Sequence, residues 1–303
     1  MPYVSHARPL FQIYRELRNG KLSLKDGLSI SRHLAEAFAN VHQSHSQIAD
    51  VNDCNVLVAA GNRVVIVDVD SFQVQDGGQV YRCNVGRPEY TPPELQGVSF
   101  SSIDRTVACD LFGLGVIIFS LLMRGFHPFA AGFSGSGNAP PLGTRIRNGV
   151  FPYAQRGVPH YRPKQSAPPY DALPAEVRRL FRRCFEGGHR DPHVRPTAKE
   201  WVQVLQRVTA ADFAANCPTN VRTITTVQAF DRLRARLTKR LKTTKKIAVV
   251  GVIGAVSMGI LAASVSHWAV NALPAGGTTR TTVATAKPTP RLWWTLANNP
   301  YKQ

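Results

Sequence analysis

At 303 residues, 44% of them hydrophobic, the chain can bury the core of one medium domain or two small ones. Its formal net charge of +18, from 37 Lys+Arg against 19 Asp+Glu, points to a polyanionic partner such as a nucleotide, an anionic lipid surface or nucleic acid. No aromatic RNA-binding pattern and no zinc-finger spacing accompanies that charge, so nucleic acid is not the expected ligand. Cys54, Cys83, Cys109, Cys184 and Cys217 are widely spaced and form no C-x-x-C pair, which argues against a disulfide scaffold or a zinc site and for reduced, mostly buried thiols.

The N-terminal "MPYVSHARPLFQIYRELRNG" has no long apolar run, so no signal peptide is expected. Leu10, Ile13, Tyr14 and Leu17 share a face and Gly20 follows as a stop, which predicts a helix over 10–19. A second helix is predicted over 24–42. Ser23 and Asp26 open it as a capping box, and Leu28, Ser31, Leu34, Ala35, Phe38 and Val41 recur at helical spacing. Two β-rich runs, 55–59 and 63–68, are joined by "AGN" and read as a hairpin. Residues 71–104 are turn-rich without a long periodic segment. "CDLFGLGVIIFSLLM", 109–123, is apolar all round and predicts a buried helix. Loops are expected at 130–141 and 158–174, and helices at 175–186 and 197–208.

Beyond these, residues 226–246 form a basic helical segment ending "DRLRARLTKRLKTTKK". "IAVVGVIGAVSMGILAASVSHWAV", 247–270, holds 24 residues without Asp, Glu, Lys or Arg. At about 1.5 Å per residue a helix of that length crosses a bilayer core of roughly 30 Å. The tail 274–303, rich in Thr, Ala, Pro and Gly, is expected to be largely disordered and exported. Positive charge crowded before the span keeps the preceding part in the cytoplasm, as a single-pass membrane protein. Gly251, Ala255, Gly259 and Ala263 form a small-residue stripe that would allow a homodimer through the span.

The chemistry is carried by scarce acids. Asp50 and Asn55 form D-x-x-x-x-N just before the first β-rich run, and Asp68 stands 13 residues after Asn55, at the end of the second. A hairpin brings its start and end together, so Asn55 and Asp68 would present two hard oxygen ligands suited to Mg²⁺. Asp50 would stand nearby to accept a proton from a hydroxyl.

In these features the sequence resembles the C-terminal lobe of a eukaryotic-type protein Ser/Thr kinase, of the sort also found in bacteria, over roughly residues 8–208. "IADVNDCN" matches the catalytic loop H-R-D-x-x-x-x-N, and "DVD" at 68–70 stands in the D-F-G place. "VGRPEYTPPEL" resembles the end of the activation segment with "PPE" for A-P-E, "DLFGLGVIIFSLLMRGFHPF" the buried helix with an Asp near its start, and "RPTAKEWVQVL" the last helix of the lobe. The resemblance implies an α+β fold, mainly α: a kinase-like C-lobe (1–208), a basic juxtamembrane segment (209–246), a single transmembrane helix (247–270) and a tail (271–303). It implies ATP and Mg²⁺ as cofactors and a protein substrate. Asp50 would be the catalytic base, Asn55 and Asp68 would hold the metal on the ATP phosphates, and Leu57 would form the floor under adenine. Glu94 would pair with Arg195, and Asp110 would hydrogen-bond the catalytic-loop backbone.

The chain departs from the family pattern at several places. The motif's His and Arg are Ile48 and Ala49, so control through an activation-loop phosphate is in doubt. The lysine expected two residues after the catalytic Asp is Asn52, and D-F-G reads Asp68-Val69-Asp70. No G-x-G-x-x-G followed by a strand lysine and a helix glutamate precedes residue 48, so the nucleotide-covering lobe is expected to be missing. Two main functions follow: a membrane-anchored kinase that transfers phosphoryl groups when that lobe is supplied, or a catalytically inactive pseudokinase scaffold that binds a protein partner at the membrane. A basic, membrane-anchored nucleic-acid binder is the third.

Overall fold

The computed structural model describes Val4 and residues 6–215, all within a first unit, Met1–Thr223. The basic segment 226–246, the span 247–270, the tail and Cys217 lie outside the described residues. Within them, no helix is long and apolar enough to cross a membrane. The fold is mixed and mostly helical, with three small antiparallel sheets.

The chain enters through a two-residue strand, β1 (Arg8–Pro9), and turns directly into α1 (Leu10–Arg18), which buries Leu10, Ile13, Tyr14 and Leu17. α2 (Leu24–Gln43) starts on the predicted capping box. The Asp26 amide donates to Ser23 Oγ at 3.2 Å, and the Ser23 amide donates to Asp26 Oδ2 at 2.9 Å. Its buried face is Leu28, Ser31, Leu34, Ala35 and Phe38. Strands β2 (Val56–Val58) and β3 (Val64–Ile66) form the predicted hairpin, and β1 pairs with the outer edge of β2. Gly61 (φ 69°) and Asn62 (φ 61°) make the turn between them, in the left-handed region that Gly and Asn tolerate best.

A second hairpin, β4 (Val74–Asp76) and β5 (Gln79–Tyr81), lies in the segment expected to be turn-rich without a long periodic element. The local signal was Asp76-Gly77-Gly78, a two-residue hairpin turn with both glycines at positive φ. α3 (Val107–Leu122) is the central helix, buried continuously from Asp110 to Leu122. Strands β6 (Ala131–Phe133) and β7 (Tyr161–Pro163) pair across the two loop segments, with the Phe133 and Tyr161 rings 5.0 Å apart. Between them lies α4 (Leu142–Arg147).

The helix predicted over 175–186 is α-helical only as far as α5 (Ala175–Arg182). It then widens into a π turn over Arg183–Gly187 that sends Cys184 and Phe185 together into the core. A single turn, α6 (Gly188–Arg190), α7 (Ala198–Arg207) and a short α8 (Ala210–Ala215) complete the unit. The core gathers around Phe119 of α3, whose ring meets those of Phe151, Phe181 and Phe185 edge-on.

One ion pair, buried on its arginine side, fastens two distant segments. Arg195, 1% exposed, grips Glu94 with two hydrogen bonds of 2.7 Å. The same guanidinium donates to the carbonyls of Ala108 and Gly188. These two residues were expected to pair from the resemblance, and they do.

Candidate active site

The site forms where the loop after α2 crosses the start of α3. Asp110, fully buried in the first turn of α3, accepts the backbone amides of Ile48 (2.8 Å) and Ala49 (2.9 Å), and His42 Nε2 lies 3.0 Å from the same carboxylate. A carboxylate at a helix N-terminus is favoured by the dipole. Gly113, one turn on, lets the loop lie against the helix: a Cβ there would sit 2.7 Å from Val51 Cγ1.

Pinned in this way, the loop adopts an uncommon backbone. Ala49 has φ 63°, and the Asp50 amide donates back to the Ile48 carbonyl at 2.7 Å. A non-glycine residue held there stores about 1–3 kcal/mol of strain, a feature that clusters at functional sites. Arg105, 5% exposed, bridges this loop to the segment around Val85. Its Nη1 donates to the Ala49 carbonyl and its Nη2 to that of Val85, while its guanidinium lies 4.0 Å from the centre of the Phe100 ring. Gln73 holds the Arg105 backbone through two bonds of 2.8 Å.

Beyond Ala49, Asp50 is held rather than loose. Its Oδ2 accepts the side-chain amides of Asn52 and Asn55, each at 3.0 Å, and Asn55 also donates to the Asp50 carbonyl. Asp50 Oδ1 is buried and has no hydrogen-bond partner among the described residues. Asn52, 1% exposed, caps the turn with its other end, Oδ1 accepting the amides of Cys54 and Asn55.

The β2–β3 register delivers the next residue. The Val67 amide donates to the Asn55 carbonyl at 2.9 Å, one step past the Val56–Ile66 pair, so Asp68 emerges beside Asn55. Asp68 takes a left-handed backbone (φ 62°), and its Oδ2 accepts Ser71 Oγ at 2.6 Å. Leu57 lies on β2 between the buried Val56 and Val58 and is itself only half-buried, so its side chain projects to the opposite face.

The structure therefore brings Asp50, Asn55 and Asp68 to one end of the hairpin and sets Leu57 on the open face of the same strand. Asp53 and Asp70 take other places. Asp70 is exposed in the turn after Asp68, and Asp53 is buried against Arg87 at 3.5 Å. Burial raises the Asp53 carboxyl above its ordinary range, and Arg87 and Tyr90 only partly offset this. The four described cysteines are free; Cys83 and Cys184 are buried, and Cys54 and Cys109 partly so. Burial pushes their thiols up, Cys184 to about 12, so these thiols are poorly ionised near neutral pH.

The residues present fit Mg²⁺. With its amide nitrogen committed to Asp50, Asn55 has its oxygen left as the donor end, and Asp68 adds a carboxylate. One or two such ligands are what this cation takes when phosphate oxygens and water fill the other positions. Asp50 also lines a small groove with Arg87, Tyr90, Pro92, Leu95 and Phe100 among others. The roles of Arg105 and Arg87 carried no signal in the sequence.

With this geometry in place, the comparison with known proteins is direct. Residues 1–205 match the protein kinase domain family, and the chain belongs to it. It is similar to "Protein kinase YegI" of Escherichia coli O157:H7 and of Escherichia coli strain K12. Each is 36% identical over 217 residues, covering 68% of this chain and 32% of the relative. It is also similar to a probable myosin light chain kinase of Dictyostelium discoideum, at 29% identity over 119 residues, 38% of this chain and 29% of that one. The chain thus spans about a third of the length of the curated relatives it matches.

Proposed function

We propose that this chain is the catalytic-loop half of a membrane-anchored protein Ser/Thr kinase. The observation that carries the reading is the carboxylate of Asp50, held through one oxygen by Asn52 and Asn55 and without a hydrogen-bond partner among the described residues on the other, beside the Asn55–Asp68 pair. Bound Mg–ATP supplies the phosphoryl group. Asp50 orients the attacking Ser or Thr hydroxyl and takes its proton. Asn55 and Asp68 would hold the metal, and Leu57 would underlie the adenine. Phosphoryl transfer requires positioning from both sides of the phosphates, so a glycine loop and lysine of the kind that cover them in this family would complete the site.

A scaffold without turnover is the second reading. It draws on Val69, which stands 48% exposed where the family packs a Phe. The test that separates the two is γ-phosphate transfer to a Ser/Thr acceptor with the covering half supplied. Wild type should transfer, and Asp50→Asn should transfer about 10²–10⁴-fold more slowly. Absence of transfer by wild type would favour the scaffold.

The membrane part of the proposal rests on the sequence: the apolar span 247–270, with eight Lys/Arg from 232 to 246 and only four dispersed basic residues after it. The kinase-like part would face the cytoplasm, and the small-residue stripe would serve a homodimer. A membrane dimerisation reporter unchanged by Gly259→Ile would rule that face out.

A further inference from the structure

From Arg124 to Tyr170 the chain runs 47 residues without Asp or Glu and carries Arg124, Arg145, Arg147, Arg156, Arg162 and Lys164. Helix α4 and the β6–β7 sheet belong to this stretch. Elsewhere the fold matches many of its arginines with acids: Arg8, Arg82, Arg178, Arg183, Arg195 and Arg207 each meet a carboxylate. Among the described residues, Arg145, Arg147 and Arg162 meet only backbone carbonyls. We infer that α4 and the strand β7 after it form a docking surface for an acidic segment of the protein that this site engages.

The surface adjoins the groove beside Asp50. A Cβ at Gly143 of α4 would sit 2.7 Å from Gln96 Oε1 and 3.4 Å from Pro88 Cβ, so the helix lies directly on that segment. Arg147 donates to the Gln96 carbonyl, and Gln96 Nε2 donates to the carbonyls of Pro88 and Thr91, each at 2.7 Å. Thr91 lines the groove with Asp50. The cations themselves lack counter-charges. Arg147 is exposed and has its one carbonyl; Arg162, also exposed, donates through Nη1 to the carbonyls of Val158 (3.3 Å) and Tyr161 (2.8 Å). Arg145 is half-buried. Its Nη1 reaches the Phe129 carbonyl at 3.3 Å, and its Nε is buried with no hydrogen-bond partner among the described residues. Burial pushes its pKa down, opposed by Tyr161 and by no carboxylate. A cation in that state gains from a carboxylate brought by a partner. Glu186 reaches the same loop, where it accepts the Gln155 amide at 3.0 Å. Arg145 and Arg147 leave α4 in different directions, towards Phe129 and Gln96, so the cations are spread out rather than converged on one point. That suits a run of carboxylates along a chain better than a single phosphate. Its place on the rim favours a protein segment over a lipid surface, because a segment can cross the groove and the helix together.

The inference goes beyond the choice between kinase and scaffold, since both engage a protein. The test uses the full chain in phosphatidylcholine nanodiscs and two fluorescein-labelled peptides, each with a central Ser, one flanked by Glu and the other by Gln. Anisotropy should show the Glu peptide binding about tenfold or more tightly than the Gln peptide. Arg145→Gln with Arg147→Gln should weaken the Glu peptide about fivefold or more and leave the Gln peptide unchanged. Arg145→Lys with Arg147→Lys should keep most of the preference, which guards against a folding defect. Arg179→Gln with Arg190→Gln removes the same charge from exposed positions of α5 and α6 and should change binding by less than about twofold. If that pair weakens the Glu peptide as much as the α4 pair does, the attraction is the general charge of the chain and the inference falls. It falls too if the α4 pair changes nothing, since the peptide then sits elsewhere, the basic segment 226–246 included. If hydrogen exchange over 142–163 is slowed by phosphatidylserine in the nanodisc and not by the Glu peptide, the surface serves lipid and the inference is overturned. None of these measurements needs nucleotide or turnover, so a failure here leaves the reading of the active site to stand or fall on γ-phosphate transfer.

Discussion

His127 shows how a single side chain can set the pH range of this fold. It is 1% exposed, its Nε2 lies 2.9 Å from the Glu89 carbonyl and its Nδ1 accepts the Phe129 amide at 3.1 Å. That pattern needs the neutral ring, with the proton on Nε2. Burial drives its pKa down from 6.5 to about 4. The folded state therefore binds fewer protons than the unfolded one between those values. Stability from this group is fully present above pH 6.5, declines as pH falls from 6.5 toward 4, and levels off below. The full loss is roughly 3 kcal/mol. Urea midpoints measured from pH 7.5 to pH 4.5 should fall accordingly, and His127→Gln should flatten that part of the profile; an unchanged slope in the variant would refute the assignment. At this scale, Asp50, Asn55, Asp68, Asp110 and the Glu94–Arg195 pair were legible because each belongs to a motif with its own spacing. Arg105 was not. Its partners are backbone carbonyls 56 and 20 residues away, and a carbonyl leaves no mark in the sequence.

Among the elements, α3 does most to place the loop, and its glycine is a sharp test of that contact. Alanine in a helix gains about 1 kcal/mol over glycine. At Gly113 the new methyl would meet Val51 at 2.7 Å, and such overpacking costs about 1–3 kcal/mol. Gly113→Ala should therefore lower stability or leave it level, and in a Val51→Ala background, where the Cγ1 contact is gone and only the Cβ contact at 2.9 Å remains, the same change should cost less. Urea unfolding of the four proteins gives the sign, and a stabilising Gly113→Ala in the wild-type background would contradict the packing. The capping box of α2 and the apolar run of α3 were readable because local chemistry decides them. The β6–β7 pairing was not, since its strands are three residues long and lie far apart in the chain, with only the Phe133–Tyr161 contact to mark the register. The π turn after α5 was hidden for a related reason. A helical periodicity continues through it, and only the tertiary demand to bury both Cys184 and Phe185 widens the turn.

For the molecule as a whole, a kinase-family unit is proposed to be tethered through its C-terminal side, with the basic run before the span setting the orientation. Protease added from the cytoplasmic side should digest residues 1–246 and spare a C-terminal tag; the reverse pattern would overturn that topology. The central claim is narrower. Asp50 and Asp68 are proposed to serve one site in two different roles, one acting on the hydroxyl and the other on the metal and nucleotide. The most direct measurement is Mg–ATP affinity for wild type, Asp50→Asn and Asp68→Asn in the same titration. Asp50→Asn should bind as wild type does, and Asp68→Asn should bind at least tenfold more weakly, the loss expected when a charged ligand to the metal is neutralised. Equal affinity in all three would show that Asp68 does not hold the metal, and the account of this site would fail.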